Sequence, residues 1–190
     1  RVPAYSNNDF DVSARNVYTY TQKAVHAPIT NLTNSVNELH ESNLLLTQDL
    51  LGVSGLANNS LVNLLKWSRG LDAKDEDNDL SVIDGRTSMG APLHSEPLLV
   101  TYQQYTENGE TKQRDMIYIT TNDGYLHAFD TKVTDNNSSM EQWAFVPPEL
   151  LPNLKALYDN PETNDLTYGL DGTADVWVND VNNNGFLLGN

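Results

Sequence analysis

Ile117-Tyr118-Ile119-Thr120-Thr121-Asn122-Asp123-Gly124-Tyr125-Leu126-His127-Ala128-Phe129-Asp130 is the stretch on which the fold class turns. Two runs rich in β-branched and aromatic residues flank Asn122-Asp123-Gly124. That triplet is a strong tight-hairpin signal, because asparagine and aspartate bond their own backbone and glycine takes left-handed conformations freely. Reading outward, Leu98-Leu99-Val100-Thr101-Tyr102 precedes this hairpin and Gln142-Trp143-Ala144-Phe145-Val146 follows it. Four strand candidates in about 50 residues, the last carrying a tryptophan, match the size of one four-stranded antiparallel β-propeller blade. Trp143 is expected to anchor that blade through burial of its indole. A proline-punctuated connection over 147–168 follows, with a short helix around 150–158. Two further strands near 175–179 and 186–188 would begin a second blade. The expected fold class is therefore mainly β, a partial propeller with an N-terminal helical segment.

The organisation predicted is threefold. Residues 1–70 form an N-terminal strand and a helical segment that packs on the propeller. Asn16-Val17-Tyr18-Thr19-Tyr20 is the strand candidate, and residues 31–67 read as helical, with Leu32, Val36 and Leu39 at helical spacing. A cleaner helix carries Leu61, Leu64, Leu65 and Trp67, with Asn59 or Ser60 as its cap and Gly70 as its stop. Residues 71–96 are an acidic linker or calcium loop, and 97–190 hold the first blade and the beginning of the next.

Charge is unevenly spread along these 190 residues. The first 70 are neutral on balance, while 21 acidic and 6 basic side chains from Leu71 onward carry the whole net charge of -15. Such a chain repels phosphate, which argues against nucleic-acid partners. The absence of cysteine excludes disulfides, thiolate metal sites and a cysteine nucleophile. No apolar run approaches the roughly 20 residues that span a bilayer.

Asp75-Glu76-Asp77-Asn78-Asp79, with Asp84 close behind, is the densest constellation. Carboxylates at positions one, three and five of a turned loop direct several hard oxygens at one cation, which is the opening half of a Ca²⁺ loop. Position six is Leu80 where glycine is usual, and position twelve is Arg86 where glutamate is usual. A full EF-hand is thereby excluded, leaving a shorter loop closed by Asp84 or the Ile83 carbonyl. A solvated acidic linker is the competing reading. A second candidate, Asp180-Val181-Asn182-Asn183-Asn184-Gly185, offers Asp180, Asn182 and Asn184 to Ca²⁺, though a turn between strands explains the same letters.

Catalytic signals are weak. His94-Ser95-Glu96 lie side by side on an extended segment, where neighbours point to opposite faces and form no triad. His94 is expected to bond backbone at a strand entry, and His127 to be a blade residue. No Gly-x-Ser-x-Gly elbow and no phosphate-cradling glycine loop occurs. No catalytic residue and no enzymatic activity are expected.

Several words recur together in order. They are Trp67-Ser68-Arg69-Gly70 before the acidic loop, Met89-Gly90-Ala91-Pro92-Leu93-His94-Ser95-Glu96-Pro97, the hairpin quoted above, Trp143-Ala144-Phe145-Val146-Pro147-Pro148-Glu149-Leu150-Leu151-Pro152, and Tyr168-Gly169-Leu170-Asp171-Gly172-Thr173. This series resembles the C-terminal β-propeller region of the PilY/PilC family, the tip-associated adhesins and biogenesis factors of type IV pili. The resemblance covers most of residues 18–173. It implies a protein at the pilus tip or cell surface, associated with the outer membrane of a Gram-negative bacterium. Such a protein supports pilus biogenesis, twitching motility and adhesion under calcium control. Its implied partners are pilin or minor pilins and a host or abiotic surface receptor. Ala91 stands where the family usually has aspartate, and Asp171-Gly172-Thr173-Ala174-Asp175 is shortened. The hairpin followed by Trp143 is also similar to the repeat of quinoprotein propellers. A pyrroloquinoline-quinone dehydrogenase, or another propeller binding module, is therefore the alternative.

Overall fold

The computed structural model describes residues 15–21, 31–86, 89–131, 141–160 and 167–177. Its centre is an open five-stranded sheet in the order β1-β5-β4-β3-β2, accompanied by two α-helices. The strands are β1 (Val17–Tyr18), β2 (Leu98–Glu107), β3 (Glu110–Thr120), β4 (Leu126–Asp130) and β5 (Glu141–Phe145). β2 to β5 are antiparallel in chain order, as the hairpin reading required, and all four expected strands are present. β1 lies where the N-terminal strand was expected and pairs parallel with β5, Val17 opposite Ala144. The architecture is thus a mixed helix and strand fold built on an open sheet.

Both β3 hairpins rest on left-handed turn residues. At the β3–β4 turn Gly124 has φ 94°, and the Thr121 N–H donates to the Tyr125 carbonyl at 2.9 Å. The β2–β3 turn, Asn108-Gly109, has φ 54° and 81°, the pair of positive values that a type I′ turn demands. Asn108→Ala should therefore cost about 1 kcal/mol, the steric penalty of a Cβ in the left-handed region without asparagine's local hydrogen bonds. Urea unfolding checks this, and an unchanged midpoint would contradict it.

The register sorts the sheet into two faces. His127 opposes Ala144 and Ile119, whereas Ala128 opposes Trp143 and Tyr118, so the two sets point opposite ways. The helical layer covers the His127–Ala144 face. Its core joins Val17, Leu39, Leu51, Leu64, Leu65, Tyr125, Ala144, Val146, Leu151 and Leu154. Each fully buried leucine there contributes about 1.5–3 kcal/mol. Trp143 sits on the other face, half-buried and tilted against Tyr118 with ring centroids 5.8 Å apart. The expected burial of its indole is thus corrected. The buried indole is Trp67, at 6 % exposure.

The N-terminal region is much less helical than its leucine spacing predicts. Over 31–57 the chain forms turns and one short 3₁₀ segment, Ser35–Asn37. Polar side chains and strand contacts take the carbonyls that a helix would use. Asn43 Nδ2 donates to the Val36 and Glu38 carbonyls at 3.0 and 2.7 Å, and the Thr19 N–H donates to the Asn37 carbonyl at 2.7 Å. This is the competition by which asparagine disfavours helix interiors. Gly52 and Gly55, with φ 65° and 82°, end any remaining helical path.

Helix α1 (Asn58–Ser68) does form, with Ala57 at its N-cap and no side-chain capping bond, so Asn59 and Ser60 lie inside it. Its C-terminus is a Schellman motif. The Gly70 N–H bonds to the Trp67 carbonyl at 2.8 Å and the Leu71 N–H to the Lys66 carbonyl at 3.1 Å, with Gly70 at φ 108°. Helix α2 (Asn153–Asp159) follows a 3₁₀ turn at Pro148–Leu150 and packs against α1, with Trp67 edge-on to Tyr158. The strand expected near 175–179 is not formed over its described part. Residues 175–177 are irregular, Trp177 is 85 % exposed, and the Val176 N–H takes the Asp175 side chain in place of a neighbouring strand. Residues 178–179 and 186–188 lie outside the described residues.

Candidate metal centre and a buried charge cluster

The Schellman end of α1 delivers the chain into the acidic loop, which is closed at its base. The Arg86 N–H bonds to the Gly70 carbonyl at 2.7 Å and the Asp72 N–H to the Asp84 carbonyl at 2.9 Å. Within it, each aspartate bends the backbone by accepting an N–H from a residue further along. Asp75 Oδ1 accepts from Leu80 N at 3.0 Å, Asp77 Oδ1 from Asp79 N at 3.2 Å, and Asp79 Oδ1 from Ser81 N at 2.8 Å. Asp75, Asn78 and Leu80 take positive φ, 54°, 60° and 72°. Leu80 thus occupies the left-handed conformation for which glycine is usual at position six, at a cost of roughly 1–2 kcal/mol.

The result is that one carboxylate oxygen from each of Asp75, Asp77 and Asp79 lies within 4.8 Å of the others. Asp77 and Asp79 are exposed and Asp75 is half-buried. The Asp77 carboxyl is pushed above its ordinary value by desolvation and then by the Asp79, Asp84 and Asp72 charges, against the pull of the Asp79 N–H. Asp84 stands apart from the trio. It is 8 % exposed, and its Oδ1 has no hydrogen-bond partner. Arg86, at position twelve, clamps the loop. Its Nε donates to Glu76 Oε2 at 2.9 Å and its guanidinium stacks 4.0 Å above the Trp67 ring, while Trp67 Nε1 donates to Glu76 Oε1 at 2.8 Å. The second candidate loop, Asp180, Asn182 and Asn184, lies outside the described residues.

Sequence reasoning missed a second cluster beneath the sheet. Arg15 grips Glu141 through two bonds, Nε to Oε2 at 2.9 Å and Nη2 to Oε1 at 3.1 Å. His127 Nδ1 lies 2.7 Å from Glu141 Oε1, and its Nε2 lies 3.2 Å from Thr121 Oγ1. Thr121 Oγ1 in turn donates to Asp123, which also accepts the Gly90 N–H at 3.2 Å. All four of Arg15, Thr121, His127 and Glu141 are buried. The one legible signal was His127 alternating with Leu126 and Ala128 on a strand; its carboxylate partner Glu141 is 14 residues away, and Arg15 is 126 residues from Glu141.

Thr121, His127 and Glu141 have the connectivity of a nucleophile, base and orienting carboxylate. Thr121 is nevertheless fully buried and its hydroxyl proton is directed at Asp123, so no substrate atom can reach the oxygen. His94 and Ser95 are separated as expected. His94 is exposed and pairs through Nδ1 with the Asp171 carboxylate at 2.9 Å, not with backbone, while Ser95 accepts from the Thr120 N–H.

Set against protein-family models, curated proteins and solved structures, the chain matches none of them. Among the described residues no helix is long and apolar enough to cross a membrane.

Proposed function

We propose that this chain is part of a non-enzymatic cell-surface protein of the PilY/PilC kind, supporting type IV pilus biogenesis, twitching motility and adhesion. Its acidic loop would hold Ca²⁺, and strands β2 to β5 would form one blade of a larger propeller. The observation that carries the calcium reading is the convergence of Asp75, Asp77 and Asp79 at positions one, three and five. The residues fit the ion. All donors are hard oxygens, and the like charges beside Asp77 would be neutralised. The same carboxylates at an irregular, partly exposed loop disfavour Mg²⁺, which demands a stricter octahedron. The pilus reading rests on the ordered sequence words.

Titrating CaCl₂ into the chain should give measurable heat and a higher melting temperature. At ten times Kd the gain is about 1.4 kcal/mol by mass action, and Asp77→Ala should abolish it. No heat and no melting shift would leave the loop a solvated linker. Deleting the region in the source bacterium should reduce surface pili and attachment to host or abiotic surfaces. Unchanged piliation, twitching and adhesion would count against the pilus role independently of calcium.

A further inference from the structure

We infer that the tip of the acidic loop, Leu80, Val82 and Ile83 ringed by Asp75, Asp77 and Asp79, docks onto a basic segment of a partner protein that carries an apolar face. Three large apolar side chains stand exposed within four residues there, the densest such run among the described residues. Leu80 is 93 % exposed, and Val82 and Ile83 are each more than half exposed. Leu80 also holds φ 72°, a left-handed conformation that bulky side chains rarely adopt. Glycine would take that conformation without strain, and an exposed leucine gains nothing from burial in return. Folding alone gives no reason for this residue at this place. A partner that buries the side chain does.

The loop presents its tip on a fixed base. Leu71 bridges to Gly85, and the Asp72 N–H bonds to the Asp84 carbonyl at 2.9 Å. Glu76 ties the loop to Trp67 and Arg86. The Leu80 N–H donates to Asp75 Oδ1 at 3.0 Å and the Ser81 N–H to Asp79 Oδ1 at 2.8 Å, so carboxylates stand at the foot of the apolar residues. An apolar centre inside a charged rim, held in place before binding, has the anatomy of a specific interface.

The rim selects the occupant. Its carboxylates repel a second copy of this chain, whose net charge is -15, and they repel anionic lipid. They match lysine and arginine bordering an apolar surface. An amphipathic helix with basic residues along the edges of its apolar stripe offers both at once. Neither the ion nor the pilus role is needed for this docking, which follows from the tip's exposure, backbone and charge.

The test uses the full chain and a fluorescent amphipathic helix of leucine and lysine, about 18 residues long, with a leucine–glutamate twin. Binding is read by anisotropy in EDTA at about 0.15 M salt, so that no divalent ion takes part. The leucine–lysine peptide should bind and its twin should not. Leu80→Asn keeps a residue that tolerates the left-handed turn but removes the apolar side chain, and it should weaken binding roughly tenfold. The same variant should melt at the wild-type temperature or up to about 3 °C above it. A leucine that served the fold would instead lower the melting temperature when replaced. Joint Asp77→Asn and Asp79→Asn should weaken binding and flatten its dependence on salt. Peptide affinity unchanged by Leu80→Asn, or a lower melting temperature in that variant, overturns the proposal. So does tighter binding to phosphatidylcholine vesicles than to the peptide, or a dimer of the chain that Leu80→Asn dissolves.

Discussion

Replacing Glu141 by alanine is expected to remove about 3–5 kcal/mol of folding stability, the largest loss from any surface-remote polar side chain described above. The carboxylate is buried and shared by Arg15 and His127, so its removal strands a guanidinium and a ring donor away from water. Glu141→Gln should lose less, because an amide oxygen still accepts one bond. The same contacts set the acid behaviour. Burial alone would raise this carboxyl, but the bonds and charges of His127 and Arg15 outweigh burial and hold it at about 2, against an ordinary 4.5. A depressed carboxyl stabilises the fold above its ordinary value. That contribution fades as pH falls from about 4.5 through about 2. Urea unfolding at pH 7 and at pH 3 measures both effects. A Glu141→Ala midpoint within 1 kcal/mol of wild type, or equal acid sensitivity in the two proteins, would refute this account.

The strands were legible because their signal is local. Alternating β-branched and aromatic residues around Asn122-Asp123-Gly124 name both the strands and the turn joining them. The loop at Asp75, Asp77 and Asp79 was legible for the same reason, since its geometry arises from side chains bonding backbone two to five residues away. Arg15 and Glu141 are 126 residues apart, and no local pattern joins them. The N-terminal region shows the opposite failure. Leu32, Val36 and Leu39 have helical spacing, yet Asn34, Asn37 and Asn43 divert the backbone into turns. Three asparagines within ten residues of those leucines outweighed the period, which is a local signal that was present and under-read. Trp143 was placed on the correct strand, but its face depends on which side the helices cover, and strand alternation alone does not decide that.

Gly169 is where the short, fully described part of the last segment meets the hairpin, and Gly169→Ala should cost about 3 kcal/mol. A Cβ there would fall 2.3 Å from the Gly124 Cα and 2.4 Å from its N, both backbone atoms. Gly124 cannot retreat, since it sits at φ 94° in the turn and its N–H is bonded to the Thr121 carbonyl at 2.9 Å. The segment must lift instead. That breaks the Gly169 N–H bond to the Asn122 carbonyl at 2.8 Å and loosens the contacts of Gly172 with Thr120, of Asp171 with His94 and of Thr173 with Glu96. Overpacking of this kind costs about 1–3 kcal/mol, and the upper end applies because neither side of the clash is a flexible side chain. Gly90→Ala supplies the contrast. Its Cβ would fall equally close, 2.3 Å, but to the carboxylate of Asp123, a side chain that can rotate away at the cost of its bonds from Gly90 and Thr121. Gly90→Ala should therefore lose about 1–2 kcal/mol. Hydrogen exchange separates the two. Gly169→Ala should expose the amides of Gly169 and Glu96 while those of β3 and β4 stay protected, and a variant with wild-type protection at both positions would show that the segment does not depend on this contact.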